Sequence, residues 1–135
     1  MRGASALNEL LGEFPDGRFR VLVVWEPVLA TDIAAPVTNV LGLLDDQRVS
    51  QYWDPEQVVS ADIVRAVNED PARYGLKEAL PPDFVAWDVV AVFRGSVRWD
   101  RDIPPPAHYA GPVAHEIEGT RKALTDALGA PDHSR

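Results

Sequence analysis

Residues 19–25 read Phe-Arg-Val-Leu-Val-Val-Trp, rich in β-branched side chains and almost unbroken in apolar character from Val21. A strand of this kind is expected to be covered on both faces, and helices do that covering in parallel sheets. The run points to an α/β arrangement, and the rest of the chain is read around it.

Before the run, residues 4–11 predict a short amphipathic helix with Leu7, Leu10 and Leu11 on one face, and Pro15-Asp16-Gly17 signals a turn. After it, Thr31 or Asp32 can cap a helix over residues 31–44, with Ile33, Val37, Val40, Leu41 and Leu44 at helical spacing and Pro36 near the first turn. A second strand is predicted over 48–53. Asp54-Pro55-Glu56-Gln57 has the spacing of a capping box, so a helix is predicted over 54–68, burying Val58, Val59, Ile63 and Val67. Residues 69–83 hold three prolines and read as irregular, with a helical turn near 76–80. A third strand over 86–93 is expected to turn at Arg94-Gly95-Ser96 into a fourth over 97–99. Pro104-Pro105-Pro106 reads as a stiff connector to a last helix over 113–128, ended by Gly129.

The chain has 135 residues, the length of one domain, with a core expected over about 18–128 and a frayed tail at 129–135. It carries 13 Lys+Arg against 21 Asp+Glu, a net charge of −8. That balance argues against nucleic acid or an anionic membrane as partner. No apolar leader and no run long enough to span a bilayer is present, so a soluble cytoplasmic protein is expected. The absence of cysteine excludes disulfides, thiolate metal sites, a catalytic cysteine and dithiol redox chemistry.

The order α, β, α, β, α, β, β, α resembles the thioredoxin-like fold with an extra N-terminal helix. The resemblance is carried by residues 21–32, Val-Leu-Val-Val-Trp-Glu-Pro-Val-Leu-Ala-Thr-Asp, and by residues 89–95 with their return strand. It covers about residues 18–128 by pattern and order. It implies a three-layer domain with one mixed four-stranded sheet. Where that family carries Cys-x-x-Cys, this chain reads Leu29-Ala30-Thr31-Asp32. Where the family has a cis-proline before the third strand, it has Asp88 or a neighbour. Thiol–disulfide exchange needs a thiolate, so the family's activity does not carry over and only its fold can.

Each of the four tryptophans is followed by an acid: Trp25-Glu26, Trp53-Asp54, Trp87-Asp88 and Trp99-Asp100. In the expected sheet all four pairs fall at one edge, where the first two strands present their carboxyl ends and open α/β sheets usually bind ligands. Indole faces stack on cations, sugars or planar groups, and carboxylates set charge. Trp25, Glu26, Asp32, Trp53, Trp87, Asp88, Trp99 and Asp100 are therefore the binding candidates, for a partner protein or a small ligand such as a basic peptide, a polyamine, a divalent ion or a small metabolite. The same residues have a structural reading, in which tryptophans pad sheet ends and acids start turns and helices. By strand parity Asp88 shares the face of Val90 and Val92, where a carboxylate needs a partner or water.

A second reading is an enzyme whose acid/base or metal-assisted site combines Glu26, Asp32 and Asp88 with His108 or His115. The metal candidates are His108, His115 and Glu116, with Asp102 as a further acid. Their spacing matches no metal motif, and a lone, satisfied histidine is the competing account. No P-loop, GxGxxG or nucleophile elbow occurs, so no cofactor is implied. Tyr52, Trp53, Tyr109 and the proline run could receive an extended peptide or pack the connector over the core. A third reading is a homo-oligomer joined through a sheet edge or helix face.

Overall fold

The computed structural model describes residues 2–95, 97–100 and 103–129. Among the described residues the chain is mixed α/β, with four helices and two two-stranded sheets. The elements in order are α1 (Arg2–Gly12), β1 (Val21–Trp25), α2 (Thr38–Leu41), β2 (Val49–Trp53) and α3 (Val58–Glu69). A 3-10 turn (Pro71–Tyr74), β3 (Val90–Val92), β4 (His108–Ala110) and α4 (Ile117–Gly129) follow. No described helix is long and apolar enough to cross a membrane. Ser96, Arg101, Asp102 and most of the expected tail, His133 included, lie outside the described residues.

Helix α1 forms as its leucine spacing predicts, with Leu10 and Leu11 almost wholly buried. Carbonyls at and just past its C-terminus are met by Arg48, at the entry to β2. The guanidinium donates to Leu11 O at 2.9 Å and to Phe14 O, and lies 4.5 Å from the centre of the Phe19 ring. Asp46 holds the same guanidinium from the other side. Arg48 thus fixes α1 to the parallel pair β1–β2, which runs in register from Val21↔Val49 to Trp25↔Trp53.

The helix expected over 31–44 shrinks to Thr38–Leu41. Asp32 does not cap forward. Its carboxylate accepts the N–H groups of Val28 and Leu29, while Asp32 N–H donates to Leu29 O, which closes a turn that leads away from a helix. Pro36 also disfavours helical backbone at Ala35.

Helix α3 starts at Val58, with Gln57 left-handed at φ 56°. The buried stripe is Ser60, Val64 and Val67, and Val58 is exposed. Below it, Asn68 exchanges two side-chain bonds with the backbone of Leu80. The helical turn expected near 76–80 falls at Pro71–Tyr74, where Asp70 accepts Arg73 N–H and left-handed Gly75 ends it.

The fourth strand is not residues 97–99. Arg94 and Val97 do close a turn, but Val97, Arg98 and Trp99 are exposed and offer no inward apolar side. The antiparallel partner of β3 is His108–Ala110, reached through the proline run, with Val90↔Ala110 and Val92↔His108 in register. Helix α4 packs on both of these strands and on α1.

The expected single four-stranded sheet appears as two separate pairs. Asp88, at φ 53°, breaks the chain just before β3. Ala86 N–H is spent on the Ser60 hydroxyl, so the predicted strand over 86–93 shortens to three residues and no ladder joins β1 to β3. The parity argument for Asp88 lapses with that break. The two-sided cover expected for β1 also fails: Leu22 and Val24 face solvent.

Candidate functional site

The parallel register places Trp25 directly beside Trp53, and hence Glu26 beside Asp54, at the carboxyl ends of β1 and β2. Asp54 N–H donates to Trp25 O at 2.9 Å, carrying the pairing one residue past the strands. The Trp25 indole N–H donates to Gln51 Oε1, whose amide in turn donates to Leu41 O. Both indoles are half-buried.

The first turn of α3 meets these acids. Asp54 accepts Val59 N–H at 2.9 Å, and Glu26 accepts Ser60 N–H at 3.0 Å. Two N–H groups that a helix start leaves open are thereby satisfied by carboxylates, which the helix dipole also favours. Asp54 caps from further along than its expected box position, and Gln57 turns its amide to Pro27 O instead. The Ser60 hydroxyl, 1% exposed with its residue, donates to the other Glu26 oxygen and accepts Ala86 N–H at 2.8 Å. Burial pushes the Glu26 carboxyl above its ordinary value, and the neighbouring Asp54 carboxylate adds to that. The two Ser60 hydrogen bonds pull the other way.

Ala86 brings Trp87 to this neighbourhood, and Trp87 is 69% exposed. Two of the four tryptophan–acid pairs are therefore linked by backbone register, and Ser60 ties the residue before a third tryptophan to them. Asp88 itself turns aside. A Cβ on Gly3 would collide with its carboxylate oxygen, and one on Gly111 would stand 2.6 Å from its carbonyl, so Asp88 lies against both glycines. Val113 N–H donates to that carbonyl, just past the cis Gly111–Pro112 bond. Trp99 and Asp100 are exposed in the 93–107 connection, and no hydrogen bond among the described residues joins them to the edge.

The chain matches no family model, no curated protein and no solved structure.

The residues of the enzyme reading sit on different elements. Glu26 bonds to α3, Asp32 closes its own turn, and Asp88 rests on α1. His108 packs its ring against Gly119 of α4, 3.5 Å from Thr120 Oγ1, beside a cleft shared with Arg94 and Lys122. His115 is exposed, and Glu116 lies near Gly119. Among the described residues no group of three His, Cys, Asp or Glu side chains could hold a metal ion. Tyr109 is in β4, where burial raises its phenol above the usual value. Ser60 is the residue sequence reasoning missed. Its only signal is the Ser60–Val64–Val67 spacing, which makes it a polar member of a buried stripe.

Proposed function

We propose that the chain is a cysteine-free, thioredoxin-like binding module that holds a cationic ligand or a basic peptide at the edge where β1 and β2 end. The observation that carries the reading is the Trp25↔Trp53 register, which sets two tryptophan–acid pairs side by side. Support for the thioredoxin-like part is the parallel β1–α2–β2 passage followed by an antiparallel pair and a closing helix. With no thiol in the sequence, recognition replaces exchange chemistry at that edge. Exposed Trp87 offers an aromatic face to a cation, and Glu26 and Asp54 supply the opposing charge.

The test is a calorimetric titration with a linear polyamine and with a lysine-rich peptide, followed in parallel by indole fluorescence. Binding is expected for at least one of them, and Trp87→Ala should weaken it about 5-fold, the worth of one partly exposed cation–π contact. No heat up to millimolar concentration, or equal affinity in Trp87→Ala, overturns the reading.

A further inference from the structure

Exposure alternates without a break from Arg18 to Val24. Arg18, Arg20, Leu22 and Val24 are open, while Phe19, Val21 and Val23 are half-buried. On the neighbouring strand, Ser50 and Tyr52 pair with Leu22 and Val24 and are open too. Leu22 is 64% exposed and Tyr52 55%. Parallel strands are ordinarily covered on both faces, so this face lacks its cover. Its charge is ordered along the strands. Arg18 and Arg20 stand at the start, and neither has an ion-pair partner among the described residues. At the far end Asp54 and exposed Glu56 follow the last residue of β2.

We propose that this face joins two copies of the chain in a symmetric dimer. A patch that is cationic at one end, apolar in the middle and acidic at the other is complementary to itself when turned end for end. A two-fold axis across the strands does that, setting the arginines of each copy over the acids of the other. With the axis at the level of Val23, Leu22 of each copy meets Val24 of the other and Ser50 meets Tyr52, the sheets about 10 Å apart as in a sandwich. The order of charges selects this partner over a purely apolar one. A chain of net charge −8 repels its own copies, and the arginine end is where that repulsion reverses locally.

The test is sedimentation equilibrium of the full chain over a wide concentration range, with circular dichroism confirming each variant's fold. The native chain should dimerise. Leu22→Glu should raise the dissociation constant about 100-fold or more, as an anchor at the centre of an interface would, and Tyr52→Glu serves as the second disruptive variant. Arg20→Glu should raise it about 5-fold, the usual scale of a rim charge, and Arg20→Glu with Glu56→Arg should recover most of the loss. A monomer at every concentration, a dimer indifferent to Leu22→Glu and Tyr52→Glu, or no recovery in the double reversal overturns the proposal. So does slow hydrogen exchange at residues 28–37 in dilute protein, which would show the chain covering its own face.

Discussion

The parallel pair β1–β2 is the longer of the two sheets, five residues per strand against three, yet it is the less covered. Leu22, Val24 and Tyr52 on one of its faces are open to water. The short pair β3–β4 lies under α4, and α4 lies against α1. The buried Leu10 and Leu11 lie on α1, and buried Val113 lies between β4 and α4. Ladder length and burial are thus separated in this molecule. Backbone hydrogen bonds largely exchange for bonds to water, whereas buried apolar area has no such substitute. The shorter sheet is therefore the one with a helix laid on it, and the longer sheet keeps an open face.

The largest expected effect breaks that comparison directly. Leu11→Ala, at a residue 2% exposed, should cost about 2–5 kcal/mol, the transfer energy of the lost methyl groups plus the cavity they leave. Leu22→Ala should stay within about 0.5 kcal/mol in dilute, monomeric protein, as surface changes do. Urea unfolding of the two variants measures both. A Leu22→Ala cost equal to that of Leu11→Ala would show the parallel sheet to be covered and the contrast to be false.

The next effect concerns what joins the two regions. Arg48 reaches from the edge of β2 to the carbonyls ending α1. Arg48→Met keeps much of the side chain's length but removes the guanidinium bonds to those carbonyls and to Asp46, leaving them only backbone N–H donors. The expected loss is about 1–3 kcal/mol by urea unfolding, the range for hydrogen bonds to a charged group. Hydrogen exchange should quicken in the last turn of α1 and leave α3 unchanged. Arg48→Lys should recover only part of the loss, because an ammonium cannot reproduce the planar fork. Unchanged stability in Arg48→Met would separate α1 from the parallel sheet.

These contrasts also explain what the sequence could and could not reveal. The order of elements was legible, because the Leu7–Leu10–Leu11 spacing, the Val21–Trp25 run and the apolar 89–93 segment are strong local patterns. The fourth strand was not. Val97-Arg98-Trp99 has better strand residues than His108-Tyr109-Ala110, and packing under α4 overrode that preference. The helix over 31–44 was lost to a turn in which Asp32 bonds backwards, a choice that composition does not encode. At the site, the pairing of Trp25-Glu26 with Trp53-Asp54 followed from parallel order alone. The bend that turns Asp88 toward α1 depends on Gly3 and Gly111, which are distant in sequence. Ser60 is invisible without the fold, because its partners Glu26 and Ala86 lie on either side of it in sequence, 34 and 26 residues away.

The smallest expected effect is a pH dependence that sharpens the comparison from the parallel-sheet side. Burial holds the Glu26 carboxyl above its ordinary 4.5, so the folded chain binds that proton more tightly than the unfolded chain does. The resulting stabilisation is fully present below pH 4.5 and is lost as pH rises through the folded value. Asp46 acts in the opposite sense: Arg48 holds it near about 2, below its ordinary 3.8. Its contribution is present above 3.8 and is lost as pH falls through about 2, so the two windows lie apart. Glu26→Gln should abolish the decline on the neutral side while leaving the acid limb intact. Because Glu26 is partly open to solvent, the decline should amount to less than about 1 kcal/mol. Urea midpoints measured across the Asp46 window and on to neutral pH read both limbs. A slope that survives in Glu26→Gln would assign the proton to another group and remove Glu26 from its place between the parallel sheet and α3.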